Sequence, residues 1–112
     1  MKKLLLLILP LLVSCLTFSM SLSAETLKTN DPNKYLKNYV CKNNTATYNA
    51  VNKSGRYWRY IEFVIYDADG DPIDNFSKSM GLIKPMSGKK DSFYGCNRLQ
   101  NVRYTATVKD WL

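Results

Sequence analysis

The chain of 112 residues carries 16 lysines and arginines against 9 acids, a formal net charge of +7, and its length supports one domain and excludes a second catalytic or binding domain. Histidine is absent. That excludes Ser/His and Cys/His nucleophilic systems, histidine metal sites and a histidine general base near neutral pH, so no catalytic residue, metal set or cofactor is expected.

Met1-Lys2-Lys3 followed by the uncharged run Leu4 to Val13 has the basic head and short apolar core of an export signal, predicted over residues 1–24 and outside the fold. Two cleavages fit it. Leu12-Val13-Ser14-Cys15 resembles the lipobox read by the bacterial lipoprotein signal peptidase, which would make Cys15 the lipidated first residue. The apolar character also runs on through Leu16, Phe18 and Met20 to the small-residue site Ser21-Leu22-Ser23-Ala24, which would start the mature chain at Glu25. The length of the core before Cys15 favours the first. A membrane-spanning helix is disfavoured, because Pro10 and several Ser and Thr interrupt the segment. Either cleavage removes Lys2 and Lys3 and none of the acids, leaving fourteen cations against nine acids, a mature charge of +5.

With Cys15 cleaved away or acylated, Cys41 and Cys96 remain, and an even pair in an exported chain predicts a disulfide. Residues 25–40 are polar, contain Asn30-Asp31-Pro32-Asn33 and keep no sustained period, which predicts a tether with a short helical turn at Asn33–Asn38. From Cys41 onward β-branched and aromatic residues dominate, with turn signals every eight to fifteen residues. That rhythm predicts an all-β domain over 41–112.

Within it, Thr45 to Asn52 alternates weakly and is polar, as an edge or half-exposed strand would be. Asn52-Lys53-Ser54-Gly55 supplies a turn. Arg56 to Tyr66 is the strongest signal, with Ile61, Phe63 and Ile65 on the predicted core face. Asp67-Ala68-Asp69-Gly70-Asp71-Pro72 is a hairpin turn, leading to a short strand at Ile73–Phe76. Ser77–Leu82 is expected to cross, and Ile83–Lys90 to form a loop into Ser92-Phe93-Tyr94. Val102 to Lys109 alternates cleanly, with Val102, Tyr104, Ala106 and Val108 on the inner face.

This order of motifs resembles the small immunoglobulin-like FxLYD domains of exported bacterial proteins. Phe63-Val64-Ile65-Tyr66-Asp67 with Ala68-Asp69-Gly70 is similar to the signature, with Ile for Leu. Val51-Asn52-Lys53-Ser54-Gly55 is similar to the turn before it, and Leu82-Ile83-Lys84-Pro85 with Gly88 and Phe93 to the loop and aromatic after it. The resemblance covers roughly residues 45 to 108. It departs from the family at Cys41 and Cys96, which the family does not generally carry, and at the extra residues between Pro85 and Phe93. The resemblance implies a β-sandwich used as an accessory or binding module, with no catalytic residues.

Asp67, Asp69 and Asp71 are spaced like the opening of a calcium loop, but the fourth position is Gly70 and the twelfth is Lys78 where a bidentate Glu is needed. Turn formation is the better reading. Arg56-Tyr57-Trp58-Arg59-Tyr60 interleaves cations with aromatics, the residue types that dominate binding hot spots, and Lys89 and Lys90 are candidates to extend that face. The same residues also fit plain dressing of an exposed strand. An export signal argues against nucleic acid, and nothing points to a small-molecule substrate. The positive charge is matched instead to an envelope protein or an anionic envelope surface. The sequence therefore predicts a small immunoglobulin-like antiparallel β-sandwich with one disulfide, bacterial or bacteriophage-encoded. It would be lipid-anchored at the periplasmic side of the outer membrane or soluble in the periplasm. The expected role is a non-catalytic binding module, one version being a lipoprotein that masks an outer-membrane protein. The alternative is a structural subunit of an envelope complex that associates through a sheet edge.

Overall fold

Ile61, Phe63 and Ile65, the predicted core face, lie at the centre of the three-stranded sheet in a computed structural model that describes residues 24–111. Cys15 and the export signal's residues 1–23 lie outside the described residues. Seven strands run β1 Glu25–Lys28, β2 Lys34–Lys42, β3 Thr45–Asn52, β4 Trp58–Tyr66, β5 Pro72–Ile83, β6 Ser87–Tyr94 and β7 Arg103–Lys109, with one turn of 3-10 helix at Cys96–Leu99. They form two antiparallel sheets, one ordered β1-β2-β3-β6 and the other β5-β4-β7. The chain changes sheet between β3 and β4, β5 and β6, and β6 and β7. That brings β6 back beside β3, a Greek-key connection of the kind found in immunoglobulin-like sandwiches.

The predicted tether is a correction. Residues 25–40 supply β1 and most of β2, and Asn30–Asn33 is the hairpin turn between them, closed by the Lys34 N–H on the Asp31 carbonyl at 3.0 Å. The reason for the miss is a bulge. Lys34 and Leu36 face inward on one side of Asn38, Tyr39 and Cys41 on the other, and Asn38 takes φ 56° to absorb the extra residue, so the period of two breaks mid-strand. The sandwich begins at Glu25, not at Cys41.

Two further boundaries move. Ser77–Leu82 does not cross but continues β5, paired with β4. The predicted loop at Ile83–Lys90 shrinks to Lys84–Met86, because β6 starts at Ser87. β3, expected as an edge or half-exposed strand, is internal, with β2 on one side and β6 on the other, and is half-exposed. Ala46, Tyr48, Ala50 and Asn52 form its buried face.

The two inner faces meet in an aromatic core. Phe93 from β6 packs against both Phe63 and Phe76 of the facing sheet, with ring centroids 5.5 and 5.9 Å away, and Phe63 and Phe76 stack at 5.0 Å. Trp58, Leu36, Ile61 and Met80 complete the most buried set. Cys41 and Cys96 form the expected disulfide, fixing β2 to the turn before β7 with Cα atoms 6.0 Å apart. Arg98 of that turn lies over the Phe76 ring at 4.3 Å and donates to Asp74 at 2.6 Å. Its guanidinium holds the Asp74 carboxyl below the ordinary carboxylate range.

The sheet edges close against each other. On one side the Asn30 N–H donates to the Ala106 carbonyl at 3.1 Å, and its side-chain oxygen accepts from the Val108 N–H at 2.8 Å, linking the β1–β2 turn to β7. On the other, Lys78 of β5 reaches inward to Asp91 of β6 at 3.1 Å, with Lys89 at 3.9 Å. Burial pushes the Asp91 carboxyl up, but the Ser92 N–H and the two lysines outweigh it and hold the group below its ordinary value. A carboxylate with a lowered folded pKa stabilises the fold above its unfolded value and loses that contribution as pH falls through the folded one. Asp91→Asn is therefore expected to be less stable than the parent at about pH 6 and to converge on it at a pH below the ordinary carboxylate range. Denaturant titrations at both pH values check this, and a gap that stays constant would contradict it.

Candidate binding surface

The seven residues nominated from sequence do not share one surface. Trp58 is wholly buried (0% exposed), its Nε1–H donating to the Tyr60 carbonyl at 3.1 Å, so it is a core residue and cannot touch a partner. An irregularity between Trp58 and Tyr60 causes this. Strict alternation back from Ile61 would put Arg59 inside and Trp58 outside, and the break reverses that. Arg56, Tyr57 and Arg59 lie together at one end of the sandwich, where Arg56 reaches Asp110 at 3.4 Å. Tyr60 is half-buried on the outer face of β4. Lys89 points towards β5 and Asp91, and only Lys90 lies on the outer face of the four-stranded sheet.

That outer face is what the sequence concealed. The register places Leu36, Ala46, Ala50 and Phe93 inward, so the alternate positions face out in rows across the strands. Lys37, Asn49 and Lys90 form one row over β2, β3 and β6. Val40, Thr47 and Ser92 form the next, and Lys42, Thr45 and Tyr94 a third. Lys28 is paired with Tyr35 at the other end, and Lys53 reaches over the Tyr35 ring at 6.0 Å. Five lysines thus share a flat face on which, among the described residues, no outward position holds an acid. Strands spaced about 4.8 Å apart put Lys37 and Lys90 about 10 Å from each other. A shallow depression of about 360 Å³ beside Lys90 is lined by Asn38, Thr47, Tyr48, Asn49, Lys90 and Asp91.

The acids are engaged elsewhere. Asp31, Asp74, Asp91, Asp110 and Glu62 each pair with a cation off this face. Asp67 accepts from the Asp69 and Asp71 N–H groups, both at 2.9 Å, with Gly70 at φ 87°. This is the turn-forming role expected of that segment. Among the described residues, no three His, Cys, Asp or Glu side chains converge as a metal site would need, and no helix is long and apolar enough to cross a membrane. Burial raises the Tyr39, Tyr48 and Tyr104 phenols above the usual range, so they stay protonated at neutral pH. No protein-family model, curated protein or solved structure matches this chain.

Proposed function

We propose that the chain is an exported, non-catalytic binding module of the bacterial envelope, a sandwich of the FxLYD kind. It meets an acidic envelope protein through the outer face of the β1-β2-β3-β6 sheet. The observation that carries this reading is the face's composition: five lysines among Thr, Asn, Ser, Tyr and Val, with no acid at an outward position among the described residues. Flexible lysines gathered on one surface steer an acidic partner into encounter and penalise basic competitors. Binding of this kind weakens with salt. The module works tethered by a lipid on Cys15 or free in the periplasm, since the face is built wholly from the folded domain.

Edge association has less support, because Asn30 occupies part of the β7 edge and the inward pair Lys78–Asp91 guards β5 and β6. Charge reversal separates the two readings. The triple variant Lys37→Glu, Lys42→Glu and Lys90→Glu changes only outward positions and is expected to lower affinity for the envelope partner at least about tenfold. Asn75→Glu with Ser77→Glu, on the opposite sheet, should leave it unchanged. Undiminished, salt-insensitive binding by the triple variant would remove the lysine face and restore edge pairing.

A further inference from the structure

Independently of the lysine face, one end of the sandwich carries apolar side chains that the fold does not bury. Asn52, itself buried, gathers the crossing loops there. Its side-chain amide donates to the carbonyls of Arg56, Ile83 and Lys84 at 2.8, 3.0 and 3.1 Å. The Arg56–Asp110 pair brings the C-terminal segment to the same place. Tyr57 and Met86 on these loops, Leu82 at the end of β5 and Trp111 on the C-terminal segment stand 45, 73, 50 and 74% exposed. Arg56, Arg59 and Lys84 are exposed around them. Asp31 and Asp110, the acids at this end, are paired with Lys34 and Arg56. Asp67, Asp69 and Asp71 occupy the β4–β5 turn at the opposite end.

Leu82 and Met86 also adopt φ 56° and 57°, a region that long side chains seldom occupy and glycine takes freely. Leu82 sits in a bulge directly after Gly81, and Met86 follows Pro85 where a turn of this pattern usually has Gly or Asn. Two apolar side chains are thus kept where the backbone disfavours them and where packing within the chain gains little.

These apolar tips stand apart on the β3–β4 and β5–β6 loops, the end of β5 and the C-terminal segment, interleaved with cations. They suit a bilayer, in which apolar tips enter the acyl boundary, aromatic rings rest at headgroup level and Lys and Arg meet phosphates. We propose that this end docks on anionic phospholipid membrane, with Leu82, Met86 and Trp111 inserted and Arg56, Arg59 and Lys84 at the phosphates. The strands then stand along the membrane normal, the acidic turn points away, and the lysine face remains open sideways. Cys15 lies ten residues before Glu25, a reach of about 35 Å when extended, so an acyl group there permits this contact with the same bilayer.

The chain carries its own probe, because Trp58 is wholly buried and Trp111 is exposed. The exported product of the full chain, mixed with phosphatidylglycerol/phosphatidylethanolamine vesicles, is expected to show a blue shift of Trp111 emission and quenching by lipids brominated on the acyl chain. Phosphatidylcholine vesicles should give neither. Trp111→Phe should abolish the signal, and Leu82→Asn with Met86→Asn, which keeps every charge and suits the backbone, should reduce it severalfold while near-UV circular dichroism stays unchanged. Emission unaltered by anionic vesicles would overturn the proposal and leave the tips to a protein partner. A shift that survives the double Asn variant would overturn it by showing that lysines alone hold the surface. Neither result bears on the lysine face, whose charge-reversed variant should retain the Trp111 response.

Discussion

Replacing Trp58 with alanine is expected to destabilise the sandwich by about 3–5 kcal/mol, the usual cost of emptying a large buried aromatic site. Domains of this size are stable by only about 5–15 kcal/mol, so the variant should unfold at much lower urea or fail to accumulate. The indole is wholly buried and hydrogen-bonded to the Tyr60 carbonyl, and neighbouring Arg59 is exposed. Had Trp58 been a contact residue on an outer strand face, its removal would cost under about 0.5 kcal/mol. Trp111→Ala, at an exposed position, supplies that comparison within the same molecule. Urea midpoints for the two variants decide the matter. A Trp58→Ala midpoint no lower than that of Trp111→Ala would return Trp58 to the surface.

Breaking the disulfide should cost about as much. Cys41 and Cys96 are 55 residues apart, and closing a loop of that length removes about 4 kcal/mol of chain entropy from the unfolded state. The loop encloses β3 through β6, hence most of both sheets, so its closure also fixes how the sheets meet. Cys41→Ala with Cys96→Ala should lower the denaturant midpoint accordingly, and reducing agent should do the same to the parent. A double variant as stable as the parent would mean that the reduced, unfolded chain is already compact. Under reducing conditions the parent and the double variant should then coincide, because the same link is missing from both.

How much of this was legible in the sequence depended on whether alternation survived. β4 from Tyr60 onward and β7 keep the period of two, and their inner residues Ile61, Phe63, Ile65, Tyr104 and Ala106 could be read directly, though Trp58 lies before the break in β4 and Val102 lies outside β7 and is exposed. β2 was hidden because the bulge at Asn38 shifts its phase. β5 was truncated because Lys78 faces inward for the sake of Asp91, and Gly81 and Leu82 interrupt the run before Ile83. Charge at an inward position reads as a loop until its partner is known. The lysine face was illegible for a different reason. Lys28, Lys37, Lys42, Lys53 and Lys90 come from β1, β2, the end of β3 and β6, and each looks like an ordinary solvated residue alone. Only the register that sets Lys37 and Lys90 on either side of Asn49 makes them one surface. Arg56 to Tyr60, by contrast, forms a dense cluster in sequence that the fold disperses between core, outer face and loop end.

Site-specific photo-crosslinking in living cells tests the lysine face most directly. A photoreactive side chain at Thr47, at the middle of that face, and another at Ser77, facing outward on the opposite sheet, compare the two surfaces in one envelope. A single strong crosslinked envelope species from Thr47, absent from Ser77 and lost when Lys37, Lys42 and Lys90 are changed to Glu, is the expected result. Crosslinks from Ser77 alone, or from both positions regardless of the lysines, would contradict a contact through the lysine face.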